Sequence, residues 1–191
     1  KAQGAKVVVA TDTRGGKYFG VLDDGEMVII KSGAYTSGLK GKILGLFALF
    51  EGYLQSHRLI ARINPDVVVG FGGYPSAPPV FAAQHRGIPT VLHEQNAILG
   101  MANALLAPRA KILALSATET AGLKPAWRKK TSVTGNPVRQ DIAELSGNAY
   151  PQMDGKIHIM IVGGSQGAKA FADKLPFAMI DLPQELRAKI A

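Results

Sequence analysis

The stretch MIVGGSQGA, residues 160–168, is an apolar run, then two glycines, then Ser-Gln-Gly-Ala at the opening of an expected helix. About ninety positions earlier, DVVVGFGGYPS at residues 66–76 repeats the plan. Each reads as a buried strand that ends in a glycine-rich turn and runs into a helix. Glycines let the chain turn tightly, and backbone N–H groups at the positive end of the helix then face outward toward an anion. Two copies in separate halves predict a two-lobed protein that grips something phosphorylated between its lobes. Neither loop is followed by Gly-Lys-Ser/Thr, so neither is a P-loop, and neither completes G-x-G-x-x-G.

Around these loops, short apolar runs alternate with helical patterns. Residues 6–10, 26–31, 66–70, 89–92, 111–115, 131–134 and 157–162 read as strands. A long helix is expected over 41–63, stopped by Pro65, and shorter ones over 77–85, 99–107 and 138–145 and from Ala168. Pro78 and Pro79 suit a first helical turn. Continuous apolar strands between helices predict an α/β fold with a parallel sheet covered on both faces. Ligands of such sheets lie beyond the carboxyl ends of the strands. The glycine loops and the HEQN tetrad at 93–96 follow strands, so they are expected on one rim. GNAYPQMD at 147–154 reads as a linker that divides the chain into 1–150 and 151–191. The chain opens at what reads as the second strand of a Rossmann-type sheet and ends as a second lobe begins. An internal piece of a longer protein is expected.

Composition narrows the partners. The 191 residues are 47% hydrophobic, enough for a real core. With 22 Lys and Arg against 14 Asp and Glu, the net charge of +8 favours anionic ligands. Aromatic content is only 7%, with no basic stripe interleaved with aromatics, so nucleic acid is not expected. The absence of cysteine excludes disulfides and cysteine metal sites. No apolar run approaches the ~18–20 residues of a membrane-spanning helix. The aspartates form no D-x-D pair, and no metal site is expected.

GFGGYPSAPP, GIPTVLHEQNAILGMAN, VTGNPVR and VGGSQGA, in this order and spacing, resemble the MurG-type glycosyltransferases. The resemblance runs from about residue 6 to about residue 175. It implies the GT-B architecture of two Rossmann-like lobes, with residues 1–150 forming most of the N-terminal acceptor lobe and 151–191 beginning the donor lobe. It implies inverting transfer of N-acetylglucosamine from UDP-N-acetylglucosamine to the muramoyl C4 hydroxyl of lipid I. The product is lipid II, for peptidoglycan synthesis. No cofactor is implied. The implied location is peripheral, on the cytoplasmic face of the bacterial cell membrane. The family's opening GGTGGH loop and the acidic residue for the donor ribose have no counterpart here, so the chain alone is expected not to turn over substrate. Two alternatives are a different GT-B glycolipid transferase and a non-catalytic nucleotide- or lipid-binding module. HEQN together with GNPVR favours the first reading.

The resemblance assigns the donor pyrophosphate to the loop at 163–167, with Ser165 as a hydroxyl donor and Gly164 and Gly167 permitting close approach. It assigns the acceptor diphosphate to the turn at 70–76. There Gly72 and Gly73 free backbone amides, and Tyr74 and Ser76 add hydroxyls. Asn96 is expected to bond a sugar near the reacting centre, and Glu94 to orient a loop or a neighbouring donor. His93 offers an imidazole base, or is a satisfied structural residue. Arg139 offers a bidentate fork for phosphate. The helix over 41–63 carries Ile43, Leu46, Phe47, Phe50, Tyr53 and Leu54 at helical spacings, flanked by Lys31, Lys40, Lys42, Arg58 and Arg62. That pattern suits an anionic membrane surface or an ordinary core-facing helix. The basic run 124–130 around Trp127 is a second candidate for membrane contact, or a solvated loop.

Overall fold

A computed structural model describes residues 4–17, 26–33, 38–150, 152, 154–162 and 169–190. The chain forms two compact units, Lys1–Pro137 and Val138–Ala191. Their boundary falls ahead of the 147–154 stretch that reads as a linker.

The first unit is α/β, and every strand pair among its described residues is parallel. Strands β1 (Val8–Thr11) and β2 (Glu26–Ile29) form one two-stranded sheet. Helix α1 (Leu39–Ile63) leads to β3 (Val68–Gly70), α2 (Gly73–His85), β4 (Thr90–Glu94), α3 (Met101–Leu106), β5 (Ile112–Leu115) and β6 (Thr131–Val133). Strands β3 to β6 make a four-stranded sheet in chain order. Helix α1 ends where Asn64 adopts a left-handed conformation, φ 48°, and returns its N–H to the Ile60 carbonyl. Pro65 then forbids another turn.

Register assigns the faces of the larger sheet. Val69, Val91 and Ile112 share one face, while Leu92 and Leu113 share the other. Helices α2 and α3 cover the second face, where Val80, Leu106 and Ala107 pack with Leu92, Leu113, Leu115 and Trp127. Truncating such a leucine costs roughly 2–5 kcal/mol, so this cluster dominates the stability of the unit. Coverage of both faces is not what the described residues show: Val69 is 47% exposed and Ile112 39%. The reason is that α1 stacks on α2 instead of crossing to the open face. Ile60, Ala82 and Ala83 form the seam between α1 and α2. Gly52 permits this approach, because a Cβ there would lie 1.9 Å from the Lys31 carbonyl oxygen and 3.3 Å from Pro78 Cγ.

Two local readings change. Helix α2 begins at Gly73, one turn before the expected start at residue 77, so Pro78 and Pro79 lie inside it and are buried. The basic run is also not a loop in solvent. Trp127 joins the core, Lys124 lies over its ring at 5.1 Å, and the Lys130 ammonium donates to the carbonyls of Ala107, Pro108 and Ala110. Burial pulls the pKa of Lys130 below its ordinary value.

The second unit contains α4 (Gln140–Ala143), α5 (Lys169–Ile180) and α6 (Gln184–Arg187). The helix expected over 138–145 is only the short α4 followed by a 3₁₀ turn, Glu144–Gly147. The strand expected over 157–162 does not form. Ile157 makes a single parallel bridge to Ile190, and no ladder extends from it. A strand needs a neighbour for each N–H and C=O, and the described residues of this unit supply only that one bridge. None of its described residues is buried.

Candidate functional site

The carboxyl ends of β3 and β4 lie side by side, because Gly70 pairs in register with Leu92. Beyond β3 the chain turns through Gly72 (φ 74°) and Gly73 (φ 72°) into α2. Both angles lie in the left-handed region that favours glycine. Gly72 stands at the N-cap position and no side chain caps the helix. The start of α2 therefore carries helix N–H groups that no side-chain cap satisfies. Ser76 spends its hydroxyl on the Gly73 carbonyl, at 3.0 Å, which braces the first turn. Tyr74 is half-buried beside it.

Beyond β4 comes HEQN, and side chains fasten it to the glycine turn. Gln95 Nε2 donates to the Phe71 carbonyl at 2.9 Å. Asn103, buried in α3, lies beneath the turn: a Cβ on Gly72 would stand 3.4 Å from Asn103 Nδ2. The expectation that HEQN and the 70–76 turn share one rim thus has a direct structural basis within the first unit.

Glu94 is the hub of the cluster and is only 3% exposed. Its carboxylate accepts from the Asn96 backbone and side-chain amides, the Gly100 N–H and the Asn103 side chain. Burial alone raises its pKa, but these bonds to Gly100, Asn103 and Asn96 outweigh burial and hold the carboxyl below its ordinary value. Glu94 is therefore an ionised anchor that shapes the loop from Asn96 to Gly100. Asn96 itself is exposed at the rim.

His93 lies below the surface, 5% exposed, with its ring against Phe71. Its Nε2 faces the Gly135 carbonyl oxygen at 2.9 Å. A carbonyl only accepts, so Nε2 donates here, and Nδ1 is buried with no partner among the described residues. In this arrangement His93 ties β4 to the Gly135-Asn136-Pro137 turn.

Arg139 belongs to the second unit. It occupies the N-cap position of α4 and meets Asp141 at 3.5 Å, with both side chains mostly exposed. Gly164, Ser165 and Gly167 lie outside the described residues.

Asn103, which sequence reasoning missed, left a signal: it is the one polar side chain within α3, MANALL, and a buried amide must find partners. Asp12 was missed as well. At the end of β1 it accepts from the Arg14 guanidinium, the Ser32 hydroxyl and the backbone N–H groups of Arg14 and Gly15. Burial opposes ionisation there, yet those bonds lower its pKa to about 2.

Parallel strands that deliver a glycine turn, an uncapped helix start and a polar cluster to one rim define a Rossmann-like ligand-binding domain. The profile of the glycosyltransferase family 28 N-terminal domain matches residues 1–114. The UDP-N-acetylglucosamine--N-acetylmuramyl-(pentapeptide) pyrophosphoryl-undecaprenol N-acetylglucosamine transferase of Rhodospirillum centenum is 40% identical over 98% of this chain and 50% of its own length. The enzyme of the same name from Methylorubrum populi is 39% identical over the whole chain and 52% of its own length. The crystal structure of Acinetobacter baumannii MurG superposes with a TM-score of 0.67 at 27% identity, covering all of this chain and 57% of that one. The chain belongs to glycosyltransferase family 28 and has the α/β fold of the GT-B N-terminal lobe. It spans about half the length of the curated relatives it matches.

Proposed function

We propose that this chain is the acceptor-side part of a hexosyltransferase that moves N-acetylglucosamine from UDP-N-acetylglucosamine to the muramoyl C4 hydroxyl of lipid I, giving lipid II. The observation that carries this reading is the joint between HEQN and the glycine turn at the rim of the first unit, in a chain 40% identical to a transferase of that name. Gly72, Gly73, Tyr74 and Ser76 frame the acceptor diphosphate at the start of α2, where helix N–H groups favour negative charge. Asn96 contacts a sugar. Glu94 and His93 hold that loop and the Gly135 turn in place. Arg139, with Gly164, Ser165 and Gly167, serves the donor diphosphate. These loops, an arginine and helix starts offset the charge of the departing UDP. The domain division is read as an acceptor part up to about residue 150 and a donor part after it, with donor contacts largely beyond the first unit.

The enzyme works at a membrane surface, on its cytoplasmic face. No described helix is long and apolar enough to cross a membrane. Instead α1 presents Ile43, Leu46, Phe47, Phe50 and Leu54 to solvent, with Phe47 65% and Phe50 58% exposed. Residues 43, 47, 50 and 54 follow helical spacing and form one stripe. An apolar stripe of this kind on a protein of net charge +8 suits the headgroup region of an anionic bilayer.

UDP release with a lipid I analogue tests the reading. Extended at both ends by its own flanking coding sequence, the chain is expected to turn over, while the 191 residues alone are not. Equal rates in the two would overturn the division of labour. Sedimentation with anionic vesicles tests the surface: binding is expected to fall with salt and with Phe47→Glu and Phe50→Glu, and binding indifferent to both changes would remove α1 from the membrane.

A further inference from the structure

The Asn96 side chain is tied down at one end. Its Nδ2 donates to Glu94 Oε1 at 3.0 Å, and its own backbone N–H donates to the same oxygen at 3.1 Å. The other oxygen, Oε2, takes the Gly100 N–H at 2.8 Å and Asn103 Nδ2 at 2.9 Å. Four donors thus converge on one buried carboxylate. An ionised carboxylate only accepts. The Asn96 amide cannot be turned over, because Oδ1 against Oε1 would set two acceptors in contact. Asn103 is constrained in the same way, since its Nδ2 lies between two acceptors, Glu94 Oε2 and the His93 carbonyl.

We infer that Asn96 meets its ligand through Oδ1 as a hydrogen-bond acceptor, and that Glu94, backed by Asn103, is the positioning residue that fixes this polarity. The group read at this point is therefore a donor, a sugar hydroxyl or an acetamido N–H. A phosphate oxygen or carboxylate, which only accepts, is not read by Oδ1 and could meet only the second Nδ2 proton. The inference rests on the reading that Asn96 faces the sugar substrate and adds which atom does the work and what sets it.

Substitution of Asn96 is the test. Kinetics are measured on the transferase extended by its flanking sequence, with UDP-N-acetylglucosamine and a lipid I analogue. Asn96→Leu is expected to lower kcat/KM about tenfold, the loss of one hydrogen bond to the substrate. Asn96→Asp is expected to lose about a hundredfold, because its second oxygen faces Glu94. Asn96→Asp as active as the parent, with Asn96→Leu impaired, overturns the polarity and leaves the sugar contact standing. A fully active Asn96→Leu overturns the contact and the inference together. A second readout needs no variant to fold. In nitrogen-15 spectra of the 191-residue chain, the Asn96 side-chain amide protons are expected to exchange with water at least tenfold more slowly than those of exposed Asn148. Equal exchange overturns the anchoring by Glu94.

Discussion

The two units of this molecule start from the same kind of sequence and end differently. Both contain apolar runs, a glycine-rich stretch of sequence and a following helix. In the unit Lys1–Pro137 the apolar runs became a four-stranded parallel sheet covered by α2 and α3, with Leu92 and Leu113 of the sheet and Leu106 of α3 at 2% exposure or less. In the unit Val138–Ala191 the run at 157–162 stays unladdered, and Met160 is 86% and Phe177 68% exposed. Yet α5 forms there over twelve residues, even with Pro176 inside it. A helix satisfies its backbone within its own segment, whereas a strand borrows every bond from a neighbour. Local sequence therefore suffices for α5, while a strand over 157–162 waits on partners that the described residues do not provide.

Hydrogen exchange sets the largest expected contrast between the units. Amides of β4 and β5 should exchange at least about a thousandfold more slowly than those of α5, because only the former sit in a packed core. Comparable protection in both would mean that the second unit has a core of its own. Next in size is truncation: Leu92→Ala should destabilise the first unit by roughly 2–5 kcal/mol. Met160→Ala should change stability by no more than about 0.5 kcal/mol in the same denaturant titration. Smaller is Gly52→Ala, about 1–3 kcal/mol, since its Cβ meets the Lys31 carbonyl and α1 must shift.

The smallest is a pH effect in the first unit. Asp12 has a folded pKa of about 2 against an ordinary 3.8, and that of Glu94 is also lowered. A depressed carboxyl contributes stability that is complete above its unfolded pKa and is lost as pH falls toward the folded one. Stability should thus fall between about pH 4 and pH 2. Asp12→Asn should flatten that fall and cost on the order of 1 kcal/mol at neutral pH, a discounted figure because Arg14 is 65% exposed. An unchanged acid limb in this variant would remove Asp12 from the account.

Much of the first unit was legible in the sequence because its strands are continuous apolar runs bounded by turns, and the glycine turn and HEQN follow two of them directly. The start of α2 was not legible. Pro78 and Pro79 suggested a beginning at residue 77, but Pro75 sits in the first turn, where no N–H is needed, and Pro78 and Pro79 are buried inside the helix, Pro78 beside Gly52 of α1. The open sheet face was not legible either, because Val69 and Ile112 look like core residues until the helices are seen stacked on one side. At the site, residue types were readable and roles were not. HEQN announces a polar cluster, but only the bonds show Glu94 as the anchor, Asn96 as the exposed member and His93 as the tie to Gly135. Asn103 sits nine residues away in sequence from Glu94 and 2.9 Å away in space, a tertiary contact that no local pattern encodes.

The central claim is that the rim of the first unit holds the diphosphate-linked sugar acceptor. The direct measurement is a titration of the 191-residue chain, nitrogen-15 labelled, with a short-chain lipid I analogue. The account predicts saturable shifts concentrated at residues 70–76 and 94–96 and on the first turn of α2, abolished by Gly72→Val. Shifts confined to the second unit, or shifts at the rim that survive Gly72→Val unchanged, would contradict it.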